Sequence, residues 1–131
     1  MPSAPQHGLV LIVEEDREIA QELCTPLRSA GYIPHAEPSG KEALVYLRRY
    51  QPHAVVLDRK LPDMNGLQIC RHLRSHRDTW TTPVILLAEK RDPAEVLRAY
   101  AAGVDATLLR PVDERELIGL IHHLLGAALP L

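Results

Sequence analysis

His53-Ala54-Val55-Val56-Leu57-Asp58-Arg59-Lys60-Leu61-Pro62-Asp63-Met64-Asn65-Gly66 is the stretch on which the fold turns. It opens as a short apolar run, stops on an acid, and passes into a loop punctuated by Pro62 and Gly66. A strand buried on both faces reads this way, because neither face leaves room for alternating polar residues. The same punctuation stands near the N-terminus, where Leu9-Val10-Leu11-Ile12-Val13 stops on Glu14-Glu15-Asp16. Pro83 to Ala88 and Thr107-Leu108-Leu109 are two further runs, ending at Glu89 and at Arg110-Pro111. A weaker segment, Tyr32 to Ala36, contains Pro34, which cannot donate to a ladder and therefore points to an edge strand.

Between these runs the apolar period lengthens to that of helices. Ile19, Leu23 and Leu27 are four apart and Gly31 closes their segment, with Pro26 inside it predicting a kink or early distortion at a cost of about 3 kcal/mol. Ser39 and Glu42 have capping-box spacing ahead of Ala43, Leu44 and Leu47. Leu67 to about Arg77 reads as a third helix. Asp92-Pro93 opens a fourth, whose apolar side is Val96, Leu97, Tyr100 and Ala101 and which Gly103 ends. Asp113 and Glu116 open the last, through Leu117, Leu120, Ile121 and Leu124. Five strands alternating with five helices predict a three-layer, doubly wound α/β domain with a parallel sheet.

Composition narrows the function. The 131 residues, 46% hydrophobic and 24% charged, suit one domain with a real core and exclude a multidomain enzyme. A net charge of -2 supplies no basic field for direct nucleic-acid binding or for an anionic membrane. No apolar run approaches the roughly 20 residues of a membrane span, so a cytoplasmic location is expected. Cys24 and Cys70 match neither a disulfide framework nor a zinc spacing and read as reduced packing residues. The expected organisation is an extended or disordered segment over 1–8, one domain over 9–125, and a tail or start of a linker over 126–131.

In a doubly wound sheet the site lies beyond the carboxyl ends of the strands, near the point where strand order reverses. Delivered there are Glu14 and Glu15, Asp58, Ala88 and Glu89, and Arg110. Three carboxylates gathered together repel one another unless a divalent cation or a fixed positive side chain neutralises them, and a magnesium site follows.

These motifs carry a resemblance. Leu-Ile-Val with an acidic pair at 11–15, Val-Val-Leu-Asp at 55–58, Leu-Pro-Asp-Met-Asn-Gly at 61–66, Thr-Pro-Val-Ile at 82–85, Ala-Gly-Val-Asp at 102–105 and Arg-Pro at 110–111 together resemble a response-regulator receiver domain of two-component signalling. The resemblance implies a strand order of 2-1-3-4-5. It implies that Asp58 accepts a phosphoryl group from a histidine kinase or phosphotransfer protein, the domain being a phosphoacceptor and not a turnover enzyme. It also implies that Glu15, Asp58 and the main-chain carbonyl of Lys60 hold Mg²⁺, with Glu14 acting through water. A homodimer through the fourth helix, fifth strand and fifth helix is a further expectation.

The chain departs from that family's pattern at four places. Both acids of the first pair are glutamates, and an extra methylene moves an oxygen by about 1.5 Å, which bears on a metal that demands near-ideal octahedral geometry. Arg110 stands where the family has lysine, Ala88 where it has a serine or threonine hydroxyl, and Thr107 where it has a switching aromatic. The last two lie on one relay, so an atypical output is expected, the alternative being a phosphorylation-independent pseudo-receiver used for protein interaction or dimerisation. Lys60 is a candidate internal counter-ion to Asp58 or Glu15. A hydrolase using Asp58 is disfavoured because Lys60, not an acid, stands two residues on. His72 and His76 have a metal-compatible spacing without a third ligand, His122 and His123 read as helix surface, and Asp63 and Asn65 as turn formers.

Overall fold

The computed structural model describes residues 8–126, so the segments expected at 1–8 and 126–131 lie, apart from Gly8 and Gly126, outside the described residues. The chain alternates β1 (Leu9–Val13), α1 (Arg17–Ser29), β2 (Ile33–Glu37), α2 (Gly40–Leu47), β3 (Ala54–Asp58), α3 (Gly66–Arg74), β4 (Val84–Ala88), α4 (Pro93–Ala101), β5 (Ala106–Leu109) and α5 (Glu114–Leu124). All four strand pairings are parallel and the order is β2-β1-β3-β4-β5, which leaves Pro34 on an edge strand.

Alternation along the strands divides the core into two. Leu11, Val13, Val55, Leu57, Val84 and Leu86 face a layer that includes Ala43 of α2, Ile69 and Leu73 of α3, and Ala99 of α4. Val10, Ile12, Val56, Ile85 and Leu87 face Leu23 and Leu27 of α1 and Leu117 and Ile121 of α5. Both faces of β1, β3 and β4 are thus consumed, which is why those strands carry no alternating polar residue. Each large aliphatic side chain so buried stabilises the fold by about 1.5–3 kcal/mol before chain entropy is counted. Cys24 and Cys70 are free and buried in the two halves of this core.

Helix starts follow their caps. Asp16, Ser39, Asn65, Asp92 and Asp113 are N-caps whose side chains accept backbone N–H groups of the first turn. Asn65 also forms a full capping box with Gln68, more than the turn role expected of it. Asp63 reaches across to α2, accepting from the N–H groups of Gly40 (2.9 Å) and Lys41 (2.8 Å). Those two bonds hold its carboxyl below the usual range.

The helix α1 runs through Pro26 to Ser29, where Ala30 N–H closes on the carbonyls of Pro26 and Leu27. Two expectations need correction. The third helix stops at Arg74, not Arg77. There the Arg74 guanidinium bonds the carbonyls of Thr82 and Gly103 and pairs with Asp105, while Thr79 Oγ1 donates to the Leu73 carbonyl. On α4 the small residues Ala99 and Ala102 at its end face inward, and the expected apolar side is largely outside: Leu97 is 70% exposed and Tyr100 49%. Among the described residues no helix is long and apolar enough to cross a membrane.

Candidate functional site

The strand order reverses between β1 and β3, and the carboxyl ends of these two strands, with that of β5, build the site. Asp58 is the last residue of β3. The loop behind it folds on itself: Gly66 N–H donates to the Arg59 carbonyl at 2.6 Å, Leu61 N–H to the Met64 carbonyl at 3.1 Å, and Lys60 lies opposite Asn65 in an antiparallel bridge. Gly66 is required by close approach, since a Cβ there would lie 2.1 Å from the Asp58 carbonyl oxygen and 2.9 Å from Leu57 Cδ1. This tight loop fixes the backbone of Asp58, and Lys60 N–H reaches its Oδ1 at 3.3 Å.

Glu14 and Glu15 part company. Glu14 is 4% exposed, continues the parity of Val10 and Ile12, and is anchored by its N–H to the Glu37 carbonyl. Its Oε2 accepts from Asp16 N–H at 3.1 Å and its Oε1 accepts from Arg110 Nη2. Glu15 is exposed. The same Arg110 Nη2 stands 3.4 Å from Asp58 Oδ2. Arg110 itself is tethered through its N–H to the Ala88 carbonyl at 2.8 Å, and its peptide bond to Pro111 is cis.

One guanidinium therefore serves two carboxylates. Burial pushes the Asp58 carboxyl above its ordinary value; Arg110 opposes this, Glu14 adds to it, and the N–H groups of Lys60 and Arg59 oppose it. Burial alone would lower Arg110, but the hydrogen bond and charge of Glu14, followed by Asp58, outweigh it and raise the guanidinium above its usual value. Lys60, considered above as a counter-ion, is exposed and forms no ion pair among the described residues; Arg110 occupies that role.

Beside Asp58 lies a cavity of about 260 Å³, lined among others by Lys60, Ala88, Lys90, Glu95 and Thr107. Ala88 places no hydroxyl in it and Thr107 no aromatic ring. Its rim carries two residues that sequence reasoning did not select. Arg59 pairs with Glu95 of α4, and Glu95 also pairs with Arg98 at 2.6 Å. The 36-residue separation of Arg59 and Glu95 leaves no local signal for their pairing. The rings of His72 on α3 and His76 just beyond it lie 4.1 Å apart, tilted by 36°, and Tyr32 Oη meets His122 Nδ1 at 2.6 Å; both pairs lie outside the Asp58 cluster.

A divalent ion needs several oxygens converging on one point. Here both Glu14 oxygens are engaged, Asp58 Oδ2 faces Arg110, and Glu15 lies outside. Among the described residues no group of three or more His, Cys, Asp or Glu side chains could hold a metal ion. The residues present do not fit Mg²⁺.

Comparison with known proteins agrees on the architecture. The family model for the response regulator receiver domain matches residues 10–122. The DNA-binding response regulator MtrA of Mycobacterium tuberculosis is 31% identical over 112 residues, which is 86% of this chain and 48% of that protein, so the chain spans about half the length of such relatives. A putative response regulator from Chloroflexus aurantiacus superposes with a TM-score of 0.87 at 31% identity, over 91% of this chain and 98% of that one. The receiver domain of the Pseudomonas aeruginosa sensor histidine kinase PA1611, described with a magnesium ion coordinated in its active-site cleft, shares the fold at a TM-score of 0.83 and 24% identity, over 91% and 98% of the two chains.

Proposed function

The chain belongs to the response regulator receiver domain family, and on that premise we propose that Asp58 accepts a phosphoryl group from a phosphohistidine in a two-component phosphorelay. The observation that carries this reading is the position of Asp58: it ends a buried central strand, its carboxylate faces a fixed guanidinium, and it opens on a cavity with further cations at its edge.

The transfer is an in-line displacement, so positioning and charge compensation do most of the work. An Asp58 carboxylate oxygen attacks phosphorus, a P–O bond forms and the P–N bond to imidazole breaks. The leaving nitrogen keeps the electron pair and takes a proton from solvent. Burial makes the Asp58 carboxylate more basic than an ordinary one, which favours attack once it is ionised. The Arg110 guanidinium is placed to donate to the phosphoryl oxygens through several N–H groups.

Donors for this reaction are a histidine kinase or a phosphotransfer protein. The exposed Leu97 and Tyr100 on α4 support a protein-binding role for that face, where a homodimer would use α4, β5 and α5. With Ala88 and Thr107 in place, no hydroxyl at 88 and no ring at 107 couples Asp58 to that face, which supports an atypical output.

Incubation with a small phosphodonor, followed by intact-mass measurement, tests the reading. The expected result is a gain of one phosphoryl group that is absent from Asp58→Asn; no gain by the folded protein overturns it. The engagement of both Asp58 and Glu14 by Arg110 favours a second reading, a phosphorylation-independent interaction module. A negative result in the same experiment is its prediction.

A further inference from the structure

We propose that the Arg110 guanidinium is the resident cation of this site and stands in place of a divalent metal. The inference deepens the reading of Asp58 as the reactive group, yet its first part, exclusion of metal, concerns the resting site and does not require phosphorylation.

Three observations carry it. Arg110 Nη2 contacts Glu14 and lies 3.4 Å from Asp58, so one positive charge sits between the two most enclosed carboxylates of the cluster. The guanidinium is held in position: its side chain is 18% exposed, its backbone N–H is bonded to Ala88, and its partner Glu14 is buried and bonded on its other oxygen. The remaining acid, Glu15, is exposed and converges with neither. A metal ion entering here would have to displace a buried ion pair and then sit a few ångströms from a fixed like charge.

The substitutions in sequence acquire a joint meaning. Glutamate at 14 and arginine at 110, taken separately, each read as a departure at a metal or phosphoryl site. In the fold they touch. The longer acid reaches the broader base and holds it in place, and Arg110 presents its positive charge to Asp58 as well. Glu14, Asp58 and Arg110 together carry one net negative charge when all are ionised, against two for the carboxylates alone. A phosphoryl group on Asp58 would meet planar guanidinium donors, which suit its oxygens without a bridging ion. Arg110 is thus a specificity-determining residue: it selects for phosphoryl oxygens over a metal.

The direct test is a Mn²⁺ titration of the full chain, reading paramagnetic broadening of the amide signals of Glu14, Glu15, Asp58 and Lys60, with Mg²⁺ calorimetry beside it. No phosphodonor is used, so the outcome is independent of whether Asp58 is phosphorylated. The wild type is expected to show no saturable, localised broadening at millimolar metal. Arg110→Ser is expected to bind at least tenfold more tightly, through the freed Glu14 and Asp58. Should that variant fail to fold, Arg110→Lys, whose compact ammonium leaves more of the cleft open, is expected to gain saturable binding instead. Saturable broadening confined to these residues in the wild type overturns the proposal. So does a folded variant lacking the guanidinium that still binds no metal, because Arg110 would then not be what excludes it.

Discussion

Replacing Glu14 by Gln should change the sign of its effect on stability according to what stands at position 110. In the wild-type chain Glu14 is 4% exposed and accepts a charge-assisted hydrogen bond from Arg110. Neutralising it weakens that bond and leaves a largely buried guanidinium with less compensation, at a cost of about 1.5–3 kcal/mol. In an Arg110→Met background the same carboxylate has lost its counter-ion. Because one nitrogen contacted both acids, the oxygens of Glu14 and Asp58 lie within about 6 Å, where two like charges repel by roughly 3 kcal/mol at an effective dielectric of 20 and about 0.7 kcal/mol at that of water. Glu14→Gln removes this repulsion and the burial of an unpaired charge, so in that background it should stabilise by about 1–3 kcal/mol. Urea unfolding of the four proteins near about pH 8, where carboxylates are ionised, should give a coupling of at least about 2 kcal/mol. For a domain of this size each kcal/mol corresponds to about 3–4 °C in midpoint. If Glu14→Gln destabilises both backgrounds equally, within about 0.5 kcal/mol, the two residues are uncoupled and the account of the site is wrong.

Two further outcomes follow from the same geometry. The folded-state Asp58 carboxyl is raised above its ordinary value of 3.8, so the native state holds its proton to higher pH than the unfolded chain; the Asp58 contribution to stability is then greatest below that value, falls as pH rises through the folded-state value, and stays low above it. Asp58→Asn should therefore stabilise the domain at neutral pH, and that gain should shrink as pH falls through the folded-state value, as thermal melts of the two proteins over a pH series would show; a gain that does not vary with pH contradicts the burial argument. Gly66→Ala places a methyl carbon 2.1 Å from the Asp58 carbonyl oxygen, a backbone atom that cannot turn aside. The loop must shift, at about 1–3 kcal/mol or more, and amide shifts at Asp58 to Lys60 should move with it; a loss under about 0.5 kcal/mol would mean the loop is not tightly specified.

The sheet was legible because its three central strands are buried on both faces and so appear as unbroken apolar runs, each stopping at an acid, Glu14, Asp58 or Glu89. Edge placement of the second strand followed from one missing N–H at Pro34. Helix α4 was harder. Its sequence, Pro-Ala-Glu-Val-Leu-Arg-Ala-Tyr-Ala, is apolar around much of its circumference, so periodicity alone does not choose a face. The small Ala99 is the residue that packs into the core, and the bulkier Leu97 and Tyr100 are left in solvent. The end of α3 was equally hidden, because the guanidinium of Arg74 is drawn to Gly103 and Asp105, about thirty residues away, and no local signal encodes that attraction.

For the site, the residue types were readable and their partners were not. Strand periodicity did contain one usable signal: Glu14 shares the parity of Val10 and Ile12, which point to the layer shared by α1 and α5, whereas Glu15 shares that of Leu11 and Val13 and lies past the strand end. Extending the period by one residue separates a buried acid from a solvated one. Nothing comparable distinguishes Lys60 from Arg110 as the counter-ion. Lys60, two residues from Asp58, is the nearer in sequence, yet the antiparallel bridge to Asn65 ties its backbone into the loop and its side chain is exposed. Arg110 is 52 positions away and is brought in by the parallel pairing of β5 with β4, which sets Leu109 beside Ala88 and lets the Arg110 N–H bond the Ala88 carbonyl. Charge pairing across a sheet is decided by strand register, and register becomes visible only when all the strands are assembled. The consequence is specific to this chain: residues 14 and 110, which read as two separate losses along the sequence, become, once the strands are in register, a single ion pair beside Asp58.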